Sequence, residues 1–186
     1  EVIYQGEAVC SILAESRALA EDAAELVQVE WDELPAVVDP DAALEPGTPL
    51  VHSELESNLA MAMPIVEGDT EKAFAEAAVV VEHEFEFGRQ SGLALETRSV
   101  LADFEPAGRQ LTVYQSHQSP YQMQDVYARH LGLEEHQVRV IAKDVGGAFG
   151  LKLHAYPDEM AAVAASVLLG RPVKYIADRQ ESFFSD

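Results

Sequence analysis

Cysteine is almost absent: Cys10 is the one thiol among 186 residues. A single thiolate cannot hold an iron–sulfur cluster or a zinc knuckle, so this chain alone builds neither. Set in an apolar run, Cys10 reads as a small core residue and says little about redox compartment. Basic residues are also scarce, 12 against 33 acidic ones, for a net charge of −21. Such a surface repels phosphate backbones, which makes nucleic acid and anionic membrane poor partners. No apolar run approaches the ~18 residues of a membrane span, and no signal-like segment opens the chain. The chain starts at Glu1 and stops at Asp186, just after a helix-start pattern at Asp178, so it reads as a fragment of a longer protein. A cytoplasmic location is the expectation.

Several catalytic patterns are missing too. There is no Gly-x-Ser-x-Gly elbow, and Lys152 follows a glycine loop without the Gly-Lys-Ser/Thr ending of a phosphate-binding loop. His52, His83, His117, His130, His136 and His154 show no ligand spacing such as His-x-x-x-His, so no direct metal site is expected.

With 48% hydrophobic residues, a chain of this length can build a core without disulfide staples. The first ~35 residues read as a β-α-β unit: an apolar run over 7–13, a helix capped by Ser16 and running to about Val27, then an alternating strand over 27–31. Residues 39–68, with Pro40, Pro46, Pro49 and Pro64, read as an interdomain linker. Asp69 caps a helix through Ala78. Residues 79–87 alternate strictly, as a long half-exposed strand in an antiparallel pairing would. Strands over 99–104 and 110–115 flank a hairpin turn at Glu105-Pro106-Ala107-Gly108-Arg109. A helix starts at Ser119-Pro120 and ends at Gly132, a strand covers 137–142, a helix 156–169 and a last strand 173–176. The class is α+β, with two domains joined by the linker.

The densest signal is Asp144-Val145-Gly146-Gly147-Ala148-Phe149-Gly150-Leu151-Lys152, between a strand and a helix. Three glycines in five residues let a backbone take positive φ and bring its N–H groups close to a ligand. Alone, this pattern reads equally as a tight connection or as a cradle for an anionic or electron-rich group. A nucleotide- or phosphate-binding module is the competing function, but the loop lacks Gly-x-Gly-x-x-Gly spacing and a well-placed acidic residue ~20 positions on.

Two further islands accompany the loop: Leu95-Glu96-Thr97-Arg98 and Tyr114-Gln115-Ser116-His117-Gln118-Ser119-Pro120. Together with Trp31-Asp32-Glu33-Leu34-Pro35 and Gly170-Arg171-Pro172, they make the chain resemble the molybdopterin-binding large subunit of the molybdenum hydroxylases. These are the xanthine dehydrogenases, aldehyde oxidases and carbon monoxide dehydrogenases. The resemblance implies that residues 1–38 end a hammerhead domain and that 69–186 begin the cofactor-binding domain. It implies an oxidoreductase that oxidises an aldehyde, a heterocycle or another small carbon substrate with water as oxygen source. The cofactor would be a molybdenum molybdopterin, in some members its cytosine dinucleotide form. Electrons would pass to 2Fe-2S and FAD centres on partner subunits or domains of an oligomer.

Residue by residue, Gln118 matches a glutamine that hydrogen-bonds an oxygen ligand of the metal, although its plain alternative is a backbone cap at a helix start. Gly147, Phe149 and Gly150 match the loop that presents N–H groups to the cofactor, and Phe149 by itself reads as a core aromatic. Glu96 and Arg98 match a family motif with a structural role, an internal ion pair or strand-end support. His117 neighbours Gln118 and either lines the pocket or faces solvent. Leu153 stands where purine-oxidising members carry a glutamate, which argues against xanthine. Ala148 replaces a third glycine of the family loop, so it must adopt ordinary backbone geometry or bear strain. The family's general base lies downstream, so no catalytic residue is expected within the chain.

Overall fold

A computed structural model describes residues 1–88 and 90–185. The chain divides into two compact units, one of Glu1–Val27 with Gln90–Asp186 and one of Gln28–Arg89.

The first unit is built on a four-stranded mixed sheet of β1 (Ser99–Glu105), β2 (Gln110–Gln115), β3 (Val138–Ile141) and β4 (Val173–Ile176), ordered β3-β2-β1-β4. β1 pairs antiparallel with both β2 and β4, and β2 pairs parallel with β3. The expected hairpin turn joins β1 to β2, with the Glu105 carboxylate accepting the N–H groups of Ala107 at 2.8 Å and Gly108 at 2.6 Å.

Alternation in the strands decides which face is covered. Val100, Ala102 and Phe104 of β1 and Leu111 and Val113 of β2 are buried in one cluster. Over them lie α3 (Pro120–Leu131), through Met123, Tyr127 and Ala128, and α4 (Pro157–Leu169), through Ala162 and Val163. Full burial of each larger apolar side chain stabilises the fold by about 1.5–3 kcal/mol. Both helices begin with proline, where the missing N–H costs nothing, and both end at a left-handed glycine, Gly132 with φ 64° and Gly170 with φ 60°. Helix α5 (Arg179–Phe184) opens on a reciprocal capping box between Asp178 and Glu181.

Helix α1 (Arg17–Ala24) starts on Ser16, whose side chain accepts from Leu19 N–H, and stops before the expected Val27. The strands expected over 7–13 and 27–31 do not form. A strand exists only through a hydrogen-bonded neighbour, and none is present for them among the described residues. Cys10, expected in a core, is therefore exposed.

In the second unit, Asn58 ties its loop together: its oxygen accepts from Val51 N–H, and its NH₂ donates to Ala43 and Pro49 carbonyls. Helix α2 (Thr70–Glu76) starts on the expected Asp69 cap. The strand expected over 79–87 is not formed among the described residues. Its alternation is present, but Val79, Val81, Phe85 and Phe87 are exposed and no partner strand completes the ladder.

One polar group in the core has a topological purpose. β4 covers β1 only as far as Ala102, which leaves the Phe104 N–H beyond the ladder. The buried Ser166 hydroxyl of α4 accepts from it at 3.1 Å and reaches the Arg171 carbonyl at 2.8 Å. Ser166→Ala, which removes only the hydroxyl, should destabilise the unit by about 1–3 kcal/mol. Denaturant unfolding of the two proteins checks this, with an unchanged midpoint as the contrary result.

Candidate cofactor site

The strand directions bring the three sequence islands to one edge of the sheet. β2 and β3 are parallel, so the segments after Gln115 and after Ile141 leave the sheet on the same side. β1 runs the other way, and Ser99 pairs with Ile176 at the end of β4, so residues 94–98 and 177–179 reach that edge as well. Ligand sites of open α/β sheets form beyond the carboxyl ends of parallel strands, where such loops gather.

The glycine loop is gripped from two sides. Glu96 donates its backbone N–H to the Gly146 carbonyl at 3.1 Å, and its carboxylate accepts the Gly146 N–H at 2.8 Å. The same carboxylate oxygen takes the Lys152 ammonium at 2.7 Å and the Ser116 hydroxyl at 2.5 Å. A side chain at Gly146 would collide with the Glu96 Cβ at 2.6 Å, so glycine is required there by packing. From the other side, Gln118 N–H donates to the Lys152 carbonyl at 2.8 Å. Its side-chain oxygen accepts from Gly150 N–H at 3.1 Å and Lys152 N–H at 3.3 Å. Only the oxygen can accept those bonds, so the NH₂ of Gln118 faces away from the loop and has no partner among the described residues. Gln118 is thus a backbone cap, but of the glycine loop rather than of helix α3.

Between the two grips, positive φ falls at Gly147 (95°), Phe149 (55°) and Gly150 (95°). Ala148 takes an ordinary conformation, and the strain is carried by Phe149, a bulky residue that rarely adopts such geometry. Phe149 is not a core aromatic: it is 74% exposed, and a Cβ on Gly147 would meet its ring edge at 3.3 Å. Among the described residues, the backbone N–H groups of Ala148 and Phe149 donate to nothing within the chain. A Cβ placed on Gly150 would meet nothing within 4 Å.

His117 lies next to Gln118 but turns inward at 2% exposure. Its Nδ1 accepts from Ser119 N–H at 3.0 Å, which leaves Nε2 protonated to donate to the His154 carbonyl at 3.2 Å. Burial pushes its pKa below the usual histidine value, so the ring is a neutral clip. Leu153 is exposed just past the loop.

Behind the loop stands a charged cluster that sequence reasoning did not assemble. Glu96 and Arg98 do not pair with each other. Arg98 forms a bidentate pair with Asp158 at 2.8 and 2.7 Å, and lies 3.7 Å over the ring of Tyr156. The neighbouring Glu159 accepts from the Gln115 amide at 2.7 Å, and that amide's oxygen accepts from the Tyr127 hydroxyl at 2.9 Å. The signal available was Asp158-Glu159 in the first turn of α4, which reads as ordinary helix-dipole matching.

Residues 51–186 match the molybdopterin cofactor-binding domain. The chain belongs to that family. It is 36% identical over 195 residues to the carbon monoxide dehydrogenase large chain of Hydrogenophaga pseudoflava, covering 98% of this chain and 24% of that protein. It is 38% identical over 184 residues to the nicotine 6-hydroxylase large subunit of Paenarthrobacter nicotinovorans, covering 99% of this chain and 22% of that one. Among solved structures, quinoline 2-oxidoreductase from Pseudomonas putida 86 superposes with a TM-score of 0.82 at 40% identity, over 91% of this chain and 22% of that chain. The chain spans about a quarter of the curated relatives' length. Its residues fit the cofactor: two unspent backbone N–H groups, an outward amide NH₂ and open space above Gly150 offer donors without added charge. Among the described residues, no cluster of His, Cys, Asp and Glu could hold a metal directly, and no helix is long and apolar enough to cross a membrane.

The two acids titrate in opposite directions. Burial pulls the Glu96 carboxyl upward, but bonds from Lys152, Ser116 and Gly146 outweigh it and hold it at about 2, below the ordinary 4.5. Its contribution is present above pH 4.5 and is lost as pH falls toward 2, on the same side as Asp158, which Arg98 holds low against burial. Burial, with the charge of Asp158, pushes Glu159 up to about 7 from 4.5. Its contribution is present below pH 4.5 and is lost as pH rises through 7. In thermal midpoints measured against pH, Lys152→Met should flatten the acid arm and Glu159→Gln the arm between 4.5 and 7. Profiles parallel to the wild type would contradict both assignments.

Proposed function

We propose that the chain forms half of the cofactor pocket in the large subunit of a molybdenum hydroxylase. The observation that carries this is the outward NH₂ of Gln118 beside the two free N–H groups of Ala148 and Phe149. When bound, the molybdenum cofactor supplies the activated oxygen and accepts two electrons from the substrate. Gln118 donates its NH₂ to an oxygen ligand of the metal. Ala148 and Phe149 donate their N–H groups to the cofactor, and Gly147 and Gly150 let the backbone come close enough for this. Phe149, exposed over the loop, packs on the cofactor or screens it from water. Leu153 offers an apolar contact, which favours an aldehyde, an aromatic heterocycle or another small substrate over xanthine.

The same reading makes 1–38 the end of a hammerhead domain, 39–68 a linker and 69–186 the start of the cofactor domain. The whole protein then works with 2Fe-2S and FAD centres on partner subunits or domains in a cytoplasmic oligomer, and the general base comes from outside these residues. The relatives act, by name, on carbon monoxide, nicotine and quinoline, and so define the substrate range to screen.

Molybdenum content of the native polypeptide, by elemental mass spectrometry, should be near stoichiometric. No metal in the matured full-length protein would overturn the proposal in favour of a nucleotide- or phosphate-binding module. Gln118→Ala should retain the metal while turnover falls about 10–100-fold, the usual cost of losing a group that tunes a metal's ligands. Loss of the metal together with activity would instead make Gln118 a structural residue.

A further inference from the structure

A small cavity lies against the far end of the glycine loop, and neither Ala148 nor Phe149 lines it. Its volume is about 20 Å³, and its wall includes Glu96, Arg98, Leu151, Lys152, Arg179 and Ser182. Two buried polar atoms on these residues have no hydrogen-bond partner in the chain: Arg98 Nε and Ser182 Oγ. The other guanidinium nitrogens of Arg98 are committed to Asp158 and Ser185, and the residue is 2% exposed.

An arginine Nε–H can only donate, and the guanidinium does not deprotonate in a protein. Whatever meets it must be an acceptor. A serine hydroxyl can donate or accept, so the occupant may carry protons of its own provided that it also has a lone pair. About 20 Å³ holds one water-sized sphere and little more. Of the three cations on the wall, two have a carboxylate partner. Arg98 faces Asp158 and Lys152 faces Glu96, while Arg179 spends its guanidinium on the Ala94 and Leu95 carbonyls at 2.6 Å each. Size and hydrogen bonding suit a water, which can accept from the Arg98 Nε–H and still donate to the Ser182 hydroxyl.

We propose that this cavity is the site of one internal water, which accepts from Arg98 Nε–H and hydrogen-bonds Ser182 Oγ. The water joins the segment before β1 to helix α5 and backs the loop through Leu151 and Lys152. It stands apart from the cofactor reading, because none of the residues assigned to the cofactor lines the cavity.

The test is a crystal structure of the full-length protein, with a second crystal soaked in bromide. Ordered density within hydrogen-bond distance of both atoms, with no anomalous signal from bromide, is the expected result. A bromide peak would make the cavity an anion site, and a cavity without density would show both atoms to be left unsatisfied; either overturns the proposal. In Ser182→Ala crystals the water should lose occupancy while the Arg98–Asp158 pair stays in place. Undiminished density in that variant would remove Ser182 from the site and overturn the bridging role.

Discussion

One carboxylate oxygen, Glu96 Oε2, receives a backbone amide and a buried ammonium from the two ends of the glycine loop and a hydroxyl from the segment after β2. Each donor comes from a place that the sheet has already delivered to its edge: Ser116 past β2, Gly146 past β3 and Lys152 at the far end of the glycine loop. The loop therefore keeps its shape without spending its outward donors. A buried lysine is costly unless paired, and a carboxylate held at about 2 is its counter-charge at any ordinary pH. Without Glu96, the ammonium would be stranded and the loop would lose its grip on Gly146.

Gln118 complements this arrangement. Its amide oxygen restrains the second half of the loop, and its NH₂ is thereby aimed outward. His117, a neutral clip between Ser119 and the His154 carbonyl, fixes the backbone on which Gln118 stands. The strained Phe149 is tolerated because both ends of its loop are held. Rigidity at the ends and unspent N–H groups in the middle are what a preorganised cofactor cradle requires.

Much of this was legible in the sequence where the cause is local. Proline starts, glycine stops, the Ser16 and Asp69 caps and the 105–109 turn each rest on the chemistry of a few neighbouring residues, and all appear in the structure. The apolar run over 7–13 and the alternating segments over 27–31 and 79–87 do not form strands, because an apolar pattern reports a face to be buried and not the neighbour that completes a ladder. In the site, the loop glycines stand out by spacing, whereas Gln118 is reached only through the family resemblance. The Glu96–Lys152 and Arg98–Asp158 pairs span 56 and 60 positions, and only the strand order brings them together. Of the two readings open to Phe149, the core aromatic fails, and its strained backbone is not legible because an aromatic carries no mark of such geometry in the sequence.

The central claim is that the chain itself holds the loop at both ends and leaves its middle open to a ligand. Amide hydrogen exchange, resolved by residue across 144–153 in cofactor-free protein, tests this most directly. Slow exchange at Gly146, Gly150 and Lys152 with fast exchange at Ala148 and Phe149 is the predicted pattern. Uniformly fast exchange would contradict the account, because the cofactor rather than the chain would then be shaping the loop.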